Sequence, residues 1–168
     1  EQGLPIRILA EHTADINAIT FNPFTDFFAS ASKDKTIKIW DNSKSKNSVV
    51  TINTGDAEAT CIKYSPDGKY LVAGFSDGKI KSYDAISGEF KNEIYSGKDI
   101  LCIDLSADGK LLVAGSSSGN IVIVNMETKA KVSEFNESKS EIISLSISAD
   151  VQYVATGGAG KKIILWNL

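Results

Sequence analysis

Three residues near the start of the chain have the side-chain types of a serine hydrolase, namely Ser30, His12 and Asp34. In such enzymes a base activates the serine, and a carboxylate orients the base. His12 is the only histidine in the sequence, so no second imidazole could act as the base. Ser30 does not stand in the Gly-x-Ser-x-Gly turn that exposes the nucleophile of many hydrolases. We therefore predict no catalytic residues here.

Two further patterns match cofactor or metal sites only in part. The run 157–162 has the glycines and the lysine of a phosphate-binding loop, but no Ser or Thr follows the lysine. A strand pattern rather than a helix comes next, so we interpret this run as a tight turn. Cys61 and Cys102, together with a single histidine, give no zinc-ligand spacing. The sequence therefore predicts no cofactor and no metal.

Acidic residues recur within a repeated turn sequence. Proline presets φ for such a turn, aspartate caps it, and glycine tolerates positive φ. Each turn separates two short apolar runs, as a β-hairpin requires. We therefore interpret the aspartates as turn caps rather than as a paired acid and base. The turns are Ser65–Gly68, Ser106–Gly109, Ser148–Val151 and the looser Asn22–Asp26.

These turns belong to a longer repeat. A tryptophan or its substitute stands at positions 40, 83, 124 and 166, with spacings of 43, 41 and 42 residues. A period of about 40–45 residues with a Trp-Asp signature is typical of a four-stranded propeller blade. We predict an all-β fold: one β-propeller region over residues 1–168, with about sixteen strands in four antiparallel blades. The repeats are placed roughly at 5–46, 47–88, 89–129 and 130–168.

Taken together, the four repeats resemble the WD40-repeat family. Members are propellers, usually of seven blades, that act as platforms for other proteins. The resemblance implies a buried network in which a histidine, a hydroxyl, a turn aspartate and the tryptophan are linked. The first repeat matches this network with His12, Ser30, Asp34 and Trp40, and the later repeats depart from it. We therefore expect the later blades to depend on apolar packing and to open more easily.

Small side chains recur at one position of the second strand in each repeat. Glycine inside a strand often marks a close approach of another backbone. We therefore predict that neighbouring blades pack closely at this position. The four residues are Ala31, Gly74, Gly115 and Gly157.

The resemblance also implies a partner-binding edge, formed by the loops before the inner strands together with the tight turns. Its side chains are small, polar and mixed in charge, without the Trp, Tyr and Arg anchors of typical hot spots. Its four acids share one register, which fits either a partial acidic ring for a basic partner or an ordinary solvated rim. The candidate residues are Thr13, Asp15, Lys33, Glu58, Ser76, Lys98, Asp99, Ser117, Ser140 and Glu141.

Composition narrows the class of partner. The net charge is −3 and no basic stripe is present, so we expect other proteins as partners and no nucleic acid. No stretch is apolar enough to cross a membrane, and no signal peptide is visible. Cys61 and Cys102, as free thiols, fit a reducing intracellular compartment such as the cytoplasm or the nucleus.

The two ends of the sequence leave the blade count open. The chain begins with Glu1 rather than Met, so we expect a piece of a longer protein. Residues 5–9 predict an outer strand and residues 162–166 a third strand, an offset that ring closure through a shared blade would require. Three arrangements remain: further blades from a longer chain, two copies in an eight-bladed ring, or four blades closing alone.

The function expected from these features is a non-catalytic protein–protein interaction scaffold in an intracellular complex. The alternative is a structural component of a large assembly, such as a cytoskeletal, ciliary or ribosome-building particle. The two differ in how the purified chain should behave, because a scaffold is expected to be soluble alone.

Overall fold

The computed structural model describes residue 3 and residues 7–43, 46–136 and 140–168. Within these ranges every regular element is a β-strand. The strands are β1 (Ile16–Phe21), β2 (Phe27–Ser32), β3 (Thr36–Asp41), β4 (Val50–Asn53), β5 (Ala59–Tyr64), β6 (Tyr70–Phe75), β7 (Lys79–Asp84), β8 (Phe90–Ser96), β9 (Ile100–Leu105), β10 (Leu111–Ser116), β11 (Asn120–Asn125), β12 (Lys131–Asn136), β13 (Ile142–Ile147), β14 (Tyr153–Gly158) and β15 (Ile163–Asn167).

Strands that follow one another in the chain pair antiparallel, and they form four separate sheets. The first three sheets contain β1–β4, β5–β8 and β9–β12, and the fourth contains β13–β15. Because consecutive strands are neighbours, short turns suffice to connect them. The turns after β1, β5, β9 and β13 lie at one edge of the molecule, and the turns after β2, β6, β10 and β14 lie at the opposite edge.

In the second, third and fourth sheets, the turn after the inner strand is held by a serine and an aspartate. In the second sheet, the Ser65 hydroxyl donates to the Asp67 carboxylate at 2.6 Å, and its oxygen accepts the Tyr70 amide at 3.0 Å. The same two bonds recur in the third and fourth sheets. The hydrogen bond from the Ser65 hydroxyl contributes most to lowering the pKa of Asp67 below its ordinary value. The repeated turn sequence is therefore a hydrogen-bonded unit.

Two turn positions have positive φ in the second, third and fourth repeats, and one of them has it in the first. The fourth residue of the serine turn is glycine in the second and third sheets, but in the fourth sheet it is Val151, with φ of 59°. The tight turn after the second strand has Lys35, Gly78, Gly119 and Lys161 at one register, all with positive φ. β-branched residues rarely adopt this conformation, so Val151 stores local strain.

The hydrophobic core lies between the sheets rather than within any one of them. Inner strand β1 packs against β5, β5 against β9, and β9 against β13. Three buried clusters fill the three junctions. In the part of the chain that the structure describes, the main contacts of each sheet are with its neighbours in the chain, and the four sheets form an arc.

Glycine permits the close packing at two of these junctions. A Cβ atom on Gly74 would lie 2.6 Å from the Ile100 side chain, and one on Gly115 would lie 2.7 Å from Ile142. The isoleucine that begins each of these inner strands therefore occupies the space left by the preceding glycine. At Gly157, by contrast, a Cβ atom would meet only the Lys162 carbonyl, at 3.9 Å.

The structure contains fifteen strands in its described part, against about sixteen expected. The fourth sheet has no outer strand there. The predicted outer strand at residues 5–9 is not found: Pro5 and Ile6 lie outside the described residues, and Arg7–Leu9 are not in a strand.

The two ends of the arc expose apolar side chains. Ile163 of β15 is 87% exposed, whereas the equivalent Ile37, Ile80 and Ile121 are at most 1% exposed. At the other end, Ile19 of β1 is 59% exposed, whereas its equivalent Ile62 is 4% exposed. In the described residues no helix is long and apolar enough to span a membrane.

Candidate functional site

The four residues of the predicted network come together in the first sheet. The His12 Nδ1 atom lies 2.7 Å from the Asp34 carboxylate, and its Nε2 atom lies 2.7 Å from the Ser30 hydroxyl. The Trp40 indole donates to the same hydroxyl at 2.9 Å. A neutral imidazole with its proton on Nδ1 satisfies all of these groups, because Ser30 can then donate to Nε2.

The Asp34 carboxylate is the most heavily bonded group of this network. It accepts the Thr36 hydroxyl at 2.6 Å and the Thr13 amide at 3.1 Å, besides His12. Burial alone would raise its pKa, but the hydrogen bonds from Thr36, His12 and Thr13 outweigh that effect and hold the pKa far below its usual range. The carboxylate is therefore ionised at any physiological pH.

This geometry suits a structural network better than a catalytic triad. The His12 and Asp34 side chains are only 4% and 7% exposed, and Ser30 is buried. The Ser30 oxygen already accepts the Trp40 indole proton, so one of its two lone pairs is engaged. A nucleophile must reach an accessible substrate atom, which this serine does not do. The network instead ties the loop before β1 to β2 and β3.

The later sheets keep only parts of the network. Ala73 and Tyr83 replace the hydroxyl and the tryptophan in the second sheet, and Ala114 and Val124 replace them in the third. In the fourth sheet the Trp166 indole donates to the Thr156 hydroxyl at 2.9 Å. Gly160 stands there at the register of Asp34, and a cavity of about 120 Å³ lies beside this pair.

A second polar cluster in the first sheet was not anticipated from the sequence. Glu11 accepts the amide and the hydroxyl of Ser48, at 2.9 and 2.6 Å, and the Lys38 ammonium at 3.2 Å. The hydrogen bond from the Ser48 hydroxyl contributes most to the lowered pKa of Glu11. This cluster fixes the segment before β1 against the third and fourth strands. Its members are far apart in the chain and belong to no repeated motif, so nothing in the sequence marked them.

The candidate partner-binding residues lie along the edge that carries the tight turns. Backbone bonds join that turn to the inner-strand loop in three sheets: Lys33 to Asp15, Ser76 to Glu58, and Ala159 to Glu141. The two loops of each of these sheets therefore form one continuous surface. Of the candidate residues, Thr13, Asp15, Lys33, Ser76, Lys98 and Glu141 are exposed, and Glu58, Asp99, Ser117 and Ser140 are half-buried.

Two of the charged side chains on this edge are paired with each other. The Lys33 ammonium pairs with the Asp15 carboxylate at 2.9 Å, and this bond raises the pKa of Lys33, with a smaller contribution from Glu58. Both partners of the pair are more than half exposed, so the pair contributes little to stability. Among the residues that the structure describes, no group of three or more potential ligands is placed to hold a metal ion.

Comparison with known families identifies the repeats. The model described as "Anaphase-promoting complex subunit 4 WD40 domain" matches residues 19–107, and the model "WD domain, G-beta repeat" matches residues 129–167. The chain belongs to the WD40-repeat family. The resemblance predicted from the spacing of Trp40 and its equivalents is thereby confirmed.

Curated WD40 relatives are much longer than this chain. Periodic tryptophan protein 2 of Arabidopsis thaliana is 36% identical over 55% of this chain and 10% of its own length. Pre-mRNA-processing factor 19 homolog 2, also of Arabidopsis thaliana, is 28% identical over 99% and 32%. The guanine nucleotide-binding protein subunit beta of Zea mays is 30% identical over 51% and 22%. The chain thus spans between a tenth and a third of these relatives.

A solved structure supports the fold. The crystal structure of the computationally designed Ika4 protein is similar with a TM-score of 0.84 and covers 99% of both chains. Sequence identity is 20%, so the likeness concerns architecture alone. The predicted all-β propeller architecture, with antiparallel sheets in chain order, is confirmed.

Proposed function

We propose that this chain is a non-catalytic scaffold that binds other proteins through the edge bearing the tight turns. The observation that carries the proposal is the joining of two loops into one exposed surface in three blades, each on an ordered sheet. A rigid frame that presents loops holds a binding surface in place at little entropic cost on association. The relatives' names mention pre-mRNA processing and guanine nucleotide binding, but these words describe those proteins.

The acidic members of the edge favour a partner with basic side chains. Asp15, Glu58, Asp99 and Glu141 follow one register and belong to four successive blades. Such an arrangement raises the encounter rate with a positively charged surface more than the final affinity. The chain's net charge of −3 acts in the same direction, and it disfavours a nucleic-acid backbone as the partner.

An intracellular location goes with this proposal. Cys61 and Cys102 are buried free thiols, and burial raises their pKa values to about 11 and about 12. Such thiols are inert and are typical of a protein that folds in a reducing compartment.

The test compares charge reversal at the two edges. Replacing Asp15, Glu58 and Glu141 by lysine changes the partner-binding edge, and the same change at Asp26, Glu89 and Glu127 alters the opposite edge equally in net charge. We expect only the first variant to lose binding of a basic probe, such as an oligolysine-bearing peptide. The same variant alone should lose the proteins that cross-link to the unaltered chain in cell extract. Equal losses from both variants would contradict a role for this edge.

One observation favours the second candidate, a structural component of a large assembly. The ends of the arc expose Ile19 and Ile163, side chains that the inner blades bury. An assembly component would be soluble only with its neighbours. Neutralising the acids of its partner-binding edge would leave its incorporation into the assembly unchanged. A purified chain that stays soluble and monodisperse alone argues for the scaffold instead.

A further inference from the structure

The first blade pairs two of its charged side chains with a short segment that precedes β1. The Lys38 ammonium lies 3.2 Å from the Glu11 carboxylate, and the Asp34 carboxylate lies 2.7 Å from Nδ1 of His12. Glu11 and His12 are consecutive in the chain. Two adjacent side chains, one acidic and one basic, therefore satisfy a lysine and an aspartate of the same blade.

Among the later blades, the second keeps both the aspartate and the lysine. Asp77 stands at the register of Asp34, and Lys81 stands at the register of Lys38. The second blade therefore carries the two charges that the first blade pairs with its own segment. In the third and fourth blades both positions are uncharged, namely Ser118 and Val122, and Gly160 and Ile164.

The segment before β5 does not supply partners for these two charges. Thr54 and Gly55 stand there at the registers of Glu11 and His12. The Thr54 amide donates to the Lys35 carbonyl at 3.0 Å, which holds the segment against the first blade. A Cβ atom on Gly55 would meet nothing within 4 Å beyond its chain neighbours. The space over this glycine is therefore open.

A recess of about 430 Å³ lies between this segment and the tight turn after β6. Asp56, Asp77 and Lys81 are among the residues that line it. Their registers are those that surround Glu11 and His12 in the first blade. The recess of the second blade thus corresponds to the place that two side chains of the chain itself fill in the first.

The Asp77 carboxylate faces this recess without a cationic partner. It accepts the Lys79 amide at 3.2 Å, and in the described part of the chain no cationic side chain lies within 4 Å of it. Burial and, to a smaller extent, the charge of Asp77 raise the pKa of Tyr83 to about 12. A cation from outside the chain would therefore meet an acid that the chain leaves unpaired.

The Lys81 ammonium is in the corresponding situation for an acid. It lies 4.8 Å from the centre of the Phe75 ring, and no carboxylate of the described residues lies within 4 Å of it. Glu93 is opposite Lys81 in the register of the sheet, but it pairs with Lys79 at 3.6 Å. Lys81 can therefore bond to a carboxylate that enters the recess.

We propose that this recess binds an extended segment of another protein in which an acidic residue is followed directly by a basic one. The acidic side chain bonds to Lys81 and the basic side chain to Asp77, as Glu11 and His12 of this chain do at the same registers of the first blade. Such charge-assisted bonds are the stronger class of hydrogen bond. A segment with the reverse order would bring like charges together, so the order of the two residues sets the specificity.

This inference rests on the proposed function, because the recess opens at the partner-binding edge, where Ser76 is one of its lining residues. It adds the chemistry of the partner to that proposal. The proposed function is tested by charge reversal at Asp15, Glu58 and Glu141, which leaves the recess side chains unaltered. Loss of partners from that variant without peptide binding in the recess would therefore overturn this inference alone.

The first test is an NMR titration of the isotope-labelled chain with the peptide Leu-Ala-Glu-His-Thr-Ala, the sequence of residues 9–14. We expect the amide signals of residues 54–58 and 76–81 to shift. No shift, or shifts confined to the first blade, would overturn the proposal, because the peptide would then only displace the chain's own segment. The same shifts on concentrating the chain alone would assign the recess to a second copy and would also overturn it.

A charge exchange then tests the assigned contacts. Asp77→Lys combined with Lys81→Asp keeps the net charge and reverses the recess. We expect this variant to bind Leu-Ala-Glu-Arg-Thr-Ala about tenfold more weakly than the unaltered chain does, and to prefer Leu-Ala-Arg-Glu-Thr-Ala. An unchanged preference would contradict the contacts. Asp77→Asn is the milder variant, and it should weaken binding of the first peptide about fivefold if the exchange alters the circular dichroism.

The matched control exchanges an exposed acid and an exposed lysine of the same blade at the opposite edge, Glu89→Lys combined with Lys91→Glu. This variant should bind both peptides as the unaltered chain does. Equal weakening in the control and in the recess variant would mean that the peptides respond to charge in general, and it would overturn the proposal.

Discussion

The first and fourth blades both tie the indole of a tryptophan to a hydroxyl of the second strand, at 2.9 Å. Beyond that bond they differ. In the first blade the hydroxyl continues to His12 and Asp34, whereas in the fourth a small cavity lies beside Thr156 and Trp166. The comparison teaches that the tryptophan bond is what these two blades share, and that the histidine and aspartate of the first blade are an addition that fixes a loop.

The largest effect should come from the tryptophans themselves. Trp40 is 3% exposed, and Trp40→Ala should destabilise the chain by about 3–5 kcal/mol, the range for large buried aromatics. Trp166 is only half-buried, so Trp166→Ala should cost clearly less. Urea unfolding of both variants measures the difference. Equal losses would mean that the fourth blade is packed as tightly as the first.

Asp34→Asn should follow, with a loss of about 1.5–3 kcal/mol at neutral pH, because hydrogen bonds to an ionised group are lost. The folded pKa of Asp34 is depressed, so its contribution is present above the ordinary value of 3.8 and lost as the pH falls below it. The free energy of unfolding, measured from pH 7 to pH 2.5, should therefore fall less steeply in the variant than in the unaltered chain. Parallel profiles would assign the acid sensitivity to other carboxylates.

His12→Ala should cost about 1–3 kcal/mol, since Ser30 and Asp34 lose a partner inside the protein. Hydrogen exchange in the unaltered chain should be fastest in the fourth blade, and the substitution should bring the loop before β1 closer to that rate. Exchange that is fastest in the unaltered first blade would contradict the stabilising role given to the network.

The smallest effect is expected at a turn of the fourth blade. Val151→Gly should stabilise the chain by about 1 kcal/mol, because a β-branched residue with φ of 59° is replaced by one that tolerates this conformation. Gly109→Val, at the equivalent turn of the third blade with φ of 71°, should destabilise by a similar amount. Thermal unfolding of the pair checks both signs.

Much of the fold follows from the sequence because the same repeat pattern occurs in it four times. The spacing of Trp40 and its equivalents predicted four blades, and the structure has four sheets. The four network residues of the first blade lie together because one motif contains them. The Glu11 cluster does not repeat, so only the three-dimensional structure reveals it.

Exposure was the harder part to anticipate. Ile37 and Ile163 occupy the same position in the repeat, and their side chains are the same. Whether such a residue is buried depends on a neighbouring blade, which local sequence does not contain. All three later blades were expected to open easily because they lack the polar network of the first. The second and third blades are packed on both sides, so we now expect the fourth blade to open most easily.

The contact of each sheet mainly with its chain neighbours has a consequence for folding. Energies in such a linear array add from one unit to the next, so unfolding can begin at an end and advance inward. Removing the last repeat would take away one junction and leave the other two intact. Blades of this kind can be gained or lost in evolution as whole units, without redesign of the remainder.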